Sequence, residues 1–256
     1  MQEDKTHKVA LVTGSSQGIG AATAKLLAAN GYAVIVTYKD SEDKAKGVVN
    51  EVLKQAGEAM ELQLDVTSEE SVKKCMEVIN DKYGRLDVLV NNAGVDGLAP
   101  IEDVTFEKWQ AITRSKIDGN FLCTKYAIPL LKKAKKSDVI CLMSNLGEFV
   151  DPDDVAYSVG TAGVVAFVKA TALSLAKYGI RTNGVGPGGV RTELAYYKEA
   201  AMDNDGSWED MSKRNPLGRI ATVDDVAQTI LTIINNPTEF WNGNFIYVSG
   251  GSHLKG

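Results

Sequence analysis

Residues 14–20, Gly14-Ser15-Ser16-Gln17-Gly18-Ile19-Gly20, have the composition to bind a phosphate group. Glycine lacks a Cβ, so three glycines in so short a span let backbone N–H groups come close to an anion. An apolar run of strand character, Val9 to Val12, empties into this turn. An Ala-rich helical stretch, Ala21 to Ala29, leaves it and stops at Asn30-Gly31. Strand, glycine turn and helix in that order place the positive end of a helix dipole at the turn, as in the first crossover of a doubly wound sheet. The spacing is Gly-x-x-x-Gly-x-Gly, not Gly-x-Gly-x-x-Gly. Alone, the turn reads equally as a tight strand-to-helix connection, and the rest of the chain must decide.

Other chemistries are poorly supplied. Cys75, Cys123 and Cys141 are odd in number, widely spaced and set in apolar contexts, which reads as reduced core thiols of a cytosolic protein. His7 and His253 are terminal and isolated; solvent exposure is expected for both, and no metal site is expected. A formal charge of −5 without a Lys/Arg block argues against nucleic acid or an anionic membrane as a partner. The charged start, Met1 to Lys8, lacks the apolar stretch of a signal peptide, and no run of about 18 apolar residues is expected elsewhere. A cytoplasmic protein without a membrane partner is the expectation.

The elements needed to position the turn follow in order. Ala33 to Thr37 is a second strand, closed by Tyr38-Lys39-Asp40; residues 41–56 are helical; Met60 to Leu64 is a third strand ending in Asp65-Val66. Thr67 or Ser68 caps the next helix, with acidic residues in its first turn. Leu86 to Val90 is wholly apolar, as expected of a strand buried on both faces of a parallel sheet, and runs into Asn91-Asn92-Ala93-Gly94. A single long helix is expected from about Phe106 to Ala134, then a strand at Val139–Met143, a helix from about Asp154 to Tyr178 and a strand at Ile180–Val185. After Gly186-Pro187-Gly188-Gly189, residues 193–214 read as polar and irregular. Val223 to Asn235 is helical and Phe245 to Val248 is a last strand. The alternation, without repeats or linkers, predicts one α/β domain over 1–256: a doubly wound, Rossmann-type sheet of about seven parallel strands behind a short tail, 1–7.

By this point the chain resembles the short-chain dehydrogenase/reductase family over nearly its whole length. The resemblance rests on Thr13-Gly14-Ser15-Ser16-Gln17-Gly18-Ile19-Gly20, Asp65-Val66, Asn91-Asn92-Ala93-Gly94, and Ser144 thirteen residues before Tyr157. It continues in Asn183-x-x-x-Pro187-Gly188-x-x-x-Thr192 and Asn242-Gly243…Ser249-Gly250-Gly251. It implies a nicotinamide cofactor, a small-molecule substrate and a homodimer or homotetramer. The pyrophosphate is expected over Gly14, Ser15, Ser16, Gln17, Gly18 and Ile19. The adenine is expected at Asp65 and Val66, the ribose at Asn91, Ala93 and Gly94, and the nicotinamide beside Pro187, Gly188, Val190 and Thr192. All lie at carboxyl ends of strands, where an open α/β sheet forms its crevice. Which nucleotide binds is a question of charge. An acid ending the second strand favours NAD(H), but here Tyr38 and Lys39 stand there, so NADP(H) is preferred and NAD(H) possible. The alternative is a solvated Lys39 beside an Asp40 that disfavours phosphate.

In the resembled family Asn, Ser, Tyr and Lys carry hydride-transfer chemistry, the last two as Tyr-x-x-x-Lys. A tyrosine titrates near pH ~10, so a general acid/base tyrosine needs a cation beside it to work near neutrality. This chain keeps Ser144 and Tyr157. Thr161 stands where the lysine belongs and Lys116, seven residues after Trp109, where the asparagine belongs. Three readings stay open. Lys116 is the relocated cation near Tyr157; or the protein binds nucleotide without effective catalysis, as a sensor or partner subunit; or Lys116 serves the surface or the substrate, and Ser144 and Tyr157 work slowly alone. Thr161 retains a hydroxyl for the ribose. Lys169, twelve residues past Tyr157 and about 18 Å along the helix, is too far to help.

The stretch 193–214 lies where relatives carry a mobile substrate lid, and it mixes acids such as Glu193 and Asp205 with Tyr196, Tyr197 and Trp208. Apolar positions such as Phe121, Leu122, Val165 and Phe167 suit either helix pairing between subunits or packing within the chain.

Overall fold

The computed structural model describes residues 7–95, 97, 99–192 and 208–254. Seven parallel strands form one sheet in the order β3-β2-β1-β4-β5-β6-β7. They are β1 (Lys8–Val12), β2 (Tyr32–Tyr38), β3 (Glu58–Gln63), β4 (Val88–Asn91), β5 (Ser137–Leu142), β6 (Ile180–Pro187) and β7 (Phe245–Val248). β1 pairs with β2 on one side and β4 on the other, so the strand order reverses there. In a doubly wound sheet the ligand crevice forms at such a switch point, on the carboxyl side, which is where the glycine turn leaves β1.

Helices cover both faces, which is why the central strands carry apolar residues without alternation. On one face α1 (Gly18–Ala29), α2 (Glu42–Lys54) and α8 (Val223–Ile234) bury Leu27, Val52 and Ile230 against Val12, Val34 and Val90. On the other α3 (Glu69–Tyr83), α5 (Gly119–Leu131) and α6 (Val155–Leu175) bury Ile79, Leu131 and Val164 against Leu11, Leu89 and Val139. Ser68 caps α3 by accepting from the Ser71 N–H, as expected, and Thr222 with Asp225 closes a capping box on α8. The three cysteines are buried free thiols; burial pushes the Cys75 thiol up to about 12.

Three expectations need correcting. The single helix over 106–134 is two helices, α4 (Phe106–Thr113) and α5, joined by a π turn at Arg114–Asp118. A π turn inserts one residue into the helical repeat, and apolar periodicity does not reveal it. Within 193–214, Trp208–Arg214 forms a short helix, α7, while the remainder of the expected lid, 193–207, lies outside the described residues. Finally, α6 and its continuation to Tyr178 form a helix long and apolar enough, by length and composition, to cross a membrane. Its length reflects another demand: Val164, Val168 and Leu175 line one side, packed in the core against the sheet.

Far from the crevice, at the amino end of the sheet, Asp138 of β5 lies opposite Arg181 of β6. Arg181 Nε donates to Asp138 Oδ1 at 2.8 Å, and its other nitrogens donate to the carbonyls of Thr238 (3.1 Å) and Ile233 (3.3 Å), holding the end of α8. Burial pushes the Asp138 carboxyl up to about 6, against the pull of Arg181. Removing one partner of a buried pair leaves a charge or polar group stranded, so Arg181→Leu is expected to cost about 3–5 kcal/mol of stability. Calorimetry should show a melting point lower by roughly 6–20 °C with dinucleotide affinity intact. An unchanged melting point would mean that the pair contributes nothing.

Candidate active site

The glycine turn is clamped from both neighbouring strands. The Gly14 N–H donates to Thr37 Oγ1 (3.0 Å), while Ser15 Oγ donates to the Val12 carbonyl (2.7 Å) and accepts from the Thr37 N–H (2.9 Å). From the other side, Thr13 Oγ1 accepts from the N–H groups of Asn92 and Ala93, both at 2.9 Å. The Asn92 carboxamide donates to the carbonyls of Thr13 (2.8 Å) and Gly14 (3.1 Å). Gly14 and Gly18 sit at φ +63° and +59°, where a side chain is strained. At Gly20 the need is for space, because a Cβ there would stand 2.6 Å from both Asn92 Nδ2 and the Gly14 oxygen. Gln17 precedes α1 without a side-chain cap on the helix, and no acid occupies the first turn. Amide donors at the start of α1 therefore have no competing carboxylate, a donor set that suits a phosphate anion. Gln17 Oε1 instead accepts from Lys44 Nζ at 2.6 Å.

At the ends of β2 and β3, Lys39 Nζ pairs with Asp65 Oδ2 at 2.9 Å. Thr67 donates to Asp65 Oδ1 from both its N–H (2.9 Å) and its hydroxyl (2.7 Å). Burial pushes the Asp65 carboxyl up, but Lys39 and Thr67 together hold it below the usual carboxylate range. The expected phosphate-side lysine and the expected adenine-side acid are thus joined, and beside them the Tyr38 carbonyl accepts from the Leu64 N–H (2.7 Å). Val66 packs on α5, where a Cβ on Gly119 would stand 2.9 Å from Val66 Cγ2.

At the end of β4, Asn91 is turned into the seam against α5. Its Nδ2 donates to Thr124 Oγ1 (3.0 Å), and its Oδ1 has no hydrogen-bond partner among the described residues. Its side chain therefore belongs to the interior, and Ala93 and Gly94 form the rim. Across the crevice, Ser144 Oγ lies 3.4 Å from the Pro187 carbonyl oxygen and accepts from the Leu146 N–H (3.2 Å). The Gly188 N–H donates to the Val248 carbonyl, and Val190 is bridged to Ala221. Thr192 Oγ1 is buried without a hydrogen-bond partner among the described residues.

Both exchanged positions lie beside Tyr157. Lys116, in the π turn, is 5% exposed, and its stem lies over Gly160 of α6, where a Cβ would stand 3.4 Å from Lys116 Cγ. Its ammonium ends beside Gly94, 3.0 Å from where that residue's Cβ would be, so both glycines give the stem its channel. Lys116 Nζ donates to Tyr157 Oη at 3.5 Å and sits 4.8 Å from the centre of its ring. Thr161 is fully buried, and its hydroxyl donates back to the Tyr157 carbonyl (2.8 Å). That bond turns the hydroxyl toward its own helix and away from the role at the ribose expected of it. Lys169 lies over the Phe245 ring at 5.5 Å, in a different part of the molecule.

Sequence reading missed the residues that hold the π turn around Lys116. Ser115 Oγ donates to the Ile112 carbonyl (2.9 Å) and accepts from the Val95 N–H (3.1 Å), tying the π turn to the loop after β4. Asn120 Nδ2 donates to the Lys116 carbonyl at 2.6 Å. No signal in residue type or spacing marks either one. His253 also differs from expectation: it packs 4.9 Å from Tyr247 and 5.0 Å from Phe149, ring to ring, and hydrogen-bonds Ser249. Among the described residues no group of three or more His, Cys, Asp or Glu is arranged to hold a metal.

A family model described as enoyl-(acyl carrier protein) reductase matches residues 14–253. A 3-oxoacyl-[acyl-carrier-protein] reductase of Synechocystis sp. is 36% identical over 247 residues, covering 96% of this chain and 97% of the relative. A cis-4-hydroxycyclohexanecarboxylate dehydrogenase of Sinomonas cyclohexanicum is 34% identical over 255 residues, covering 98% of each. Among solved structures, a gluconate 5-dehydrogenase from Burkholderia cenocepacia in complex with NADP and tartrate matches with a TM-score of 0.88 and 28% identity. That match covers 96% of this chain and 95% of the other.

Proposed function

The chain belongs to the short-chain dehydrogenase/reductase family, a family of oxidoreductases, and from this premise we propose that it is an NADP(H)-preferring enzyme with an exchanged catalytic pair. The reaction is hydride transfer between nicotinamide and a carbonyl or alcohol, or a related C=N or C=C bond. The observation that carries this reading is the Lys116 ammonium 3.5 Å from the Tyr157 hydroxyl, despite the threonine at 161. When bound, the cofactor supplies or accepts the hydride. Everything else falls to side chains of this chain.

Tyr157 gives a proton to the substrate oxygen during reduction and takes it back during oxidation. Lys116 favours the charged form of that phenol: unit charges ~4 Å apart attract by about 4 kcal/mol at an effective dielectric of ~20, before the cost of burying the ammonium. Ser144 orients the substrate oxygen. The turn from Gly14 to Ile19 holds the pyrophosphate at the start of α1. Asp65 and Val66 hold the adenine, and Ala93, Gly94, Pro187, Gly188, Val190 and Thr192 line the nicotinamide half, with Asn91 stiffening the wall behind. This reading takes 1–256 as one domain with a substrate lid over 193–214, acting in the cytoplasm as a homodimer or homotetramer. The exposure of Ile117, Phe121 and Val159, on the π turn and the two helices beside it, supports self-association.

Cofactor preference follows from Lys39. A 2′-phosphate draws Lys39 off Asp65, whereas a ribose hydroxyl has no charge with which to compete. Lys39→Met is expected to weaken NADPH binding about tenfold, the value of one charge-assisted contact, and to leave NADH within about twofold. Fluorescence titration with both dinucleotides checks this, and equal losses for the two would remove Lys39 from the phosphate site. The activity itself is tested by NADPH consumption across ketones, aldehydes, quinones and imines. Tight binding without oxidation of any of them would favour a nucleotide-binding sensor or partner subunit.

A further inference from the structure

Resting on that assignment of Lys116, we propose that Asn120 is the positioning residue that keeps the Lys116 ammonium against Tyr157. The π turn at Arg114–Asp118 closes with the Gly119 N–H on the Arg114 carbonyl, five residues back, so the helix holds one residue more than its regular count. Reverting to α geometry would remove that extra residue and rotate Lys116 by about 100° around the axis. The stem would then leave the channel between Gly94 and Gly160. In a regular α-helix the Lys116 carbonyl accepts from the N–H four residues on, that of Asn120; the Asn120 carboxamide also donates to it, at 2.6 Å. The side chain thus supplies a further donor at the carbonyl of the residue that carries the cation.

A second observation points the same way. Asn120 is 3% exposed, and its Oδ1 has no hydrogen-bond partner among the described residues. A buried carboxamide oxygen left without a donor is destabilising. In a seam where its neighbour one turn on, Thr124, faces Asn91, an apolar side chain would avoid that penalty. Asn120 therefore costs folding free energy, and what it returns is the single bond to Lys116. The residue touches neither phenol nor substrate, so its effect on chemistry passes through Lys116 alone.

Asn120→Leu conserves volume and removes both the donor and the orphaned oxygen. Its melting point is expected to equal or exceed that of the wild type. The phenol is followed by ultraviolet difference titration of the purified protein, each variant measured against the same variant carrying Tyr157→Phe. Asn120→Leu is expected to raise the titration midpoint by about half a pH unit to one unit, Lys116→Met by more, and the double variant no further than Lys116→Met alone. A merely structural residue would lower the melting point and leave the midpoint in place. If Asn120→Leu does not fold, Asn120→Ala is judged by the same criteria. A wild-type midpoint in the Asn120 variant, or additive shifts in the double variant, overturns the positioning role while leaving Lys116 as the cation. A wild-type midpoint in Lys116→Met overturns the reading beneath it.

Discussion

Lys116→Met is expected to reduce turnover by at least about a hundredfold while NADPH still binds, because it removes the ammonium that donates to the Tyr157 hydroxyl. Methionine has nearly the same stem, so the channel between Gly94 and Gly160 stays filled and the helices on either side keep their packing. A hundredfold corresponds to about 2.7 kcal/mol of transition-state stabilisation, within the gross attraction available at this separation. The partner substitution is equally informative. Thr161→Lys alone is expected not to raise activity. Position 161 is fully buried and its hydroxyl is bonded to the Tyr157 carbonyl, so a lysine there would have to bury a second ammonium. The pair Lys116→Asn with Thr161→Lys restores the residue types of the family pattern and is expected to exceed Lys116→Asn alone. Stopped-flow or steady-state NADPH oxidation, with affinity measured separately, distinguishes loss of chemistry from loss of binding. Wild-type rates in Lys116→Met would end the claim that the cation has moved.

How far the sequence discloses this site can be traced through particular residues. The sheet was legible because each strand is a short apolar or β-branched run closed by a turn, and a parallel sheet covered on both faces demands that composition. The glycine turn was legible because Gly14 and Gly18 need positive φ. The exchange of Lys116 and Thr161 showed as two departures at fixed distances from Trp109 and Tyr157. What did not show was the aim of Lys116. That aim depends on a π turn, and the apolar pattern of 106–134 is the same with or without one inserted residue. Nor did sequence disclose that Lys39 and Asp65, assigned to different parts of a nucleotide, pair with each other, since adjacent strands bring them together from 26 positions apart. His253 looked isolated because its neighbours, Tyr247 and Phe149, come from a strand and a loop that only the fold sets beside the carboxyl end.

Gly20→Ala tests the other half of the site and is expected to weaken NADPH binding by at least about a hundredfold and to lower the melting point by several degrees. The added methyl would stand 2.6 Å from Asn92 Nδ2, 2.6 Å from the Gly14 oxygen and 2.8 Å from Ser15 Cα. A side chain can swing away, but the Gly14 oxygen and Ser15 Cα belong to the turn itself, so relief requires the backbone to open. Opening it breaks the bonds from Asn92 to Thr13 and Gly14 and shifts the amides at the start of α1 that the proposed function assigns to the pyrophosphate. Lost stability and lost affinity then have one cause, because the contact that joins α1 to the end of β4 also shapes the anion site. Gly47→Ala serves as control: it lies within α2, a Cβ there meets nothing within 4 Å, and alanine is expected to stabilise the helix by about 0.5–1 kcal/mol without touching the crevice. Gly20→Ala binding NADPH like the wild type would show that the dinucleotide does not rest on this turn, and Lys116 would then face a phenol with no cofactor beside it.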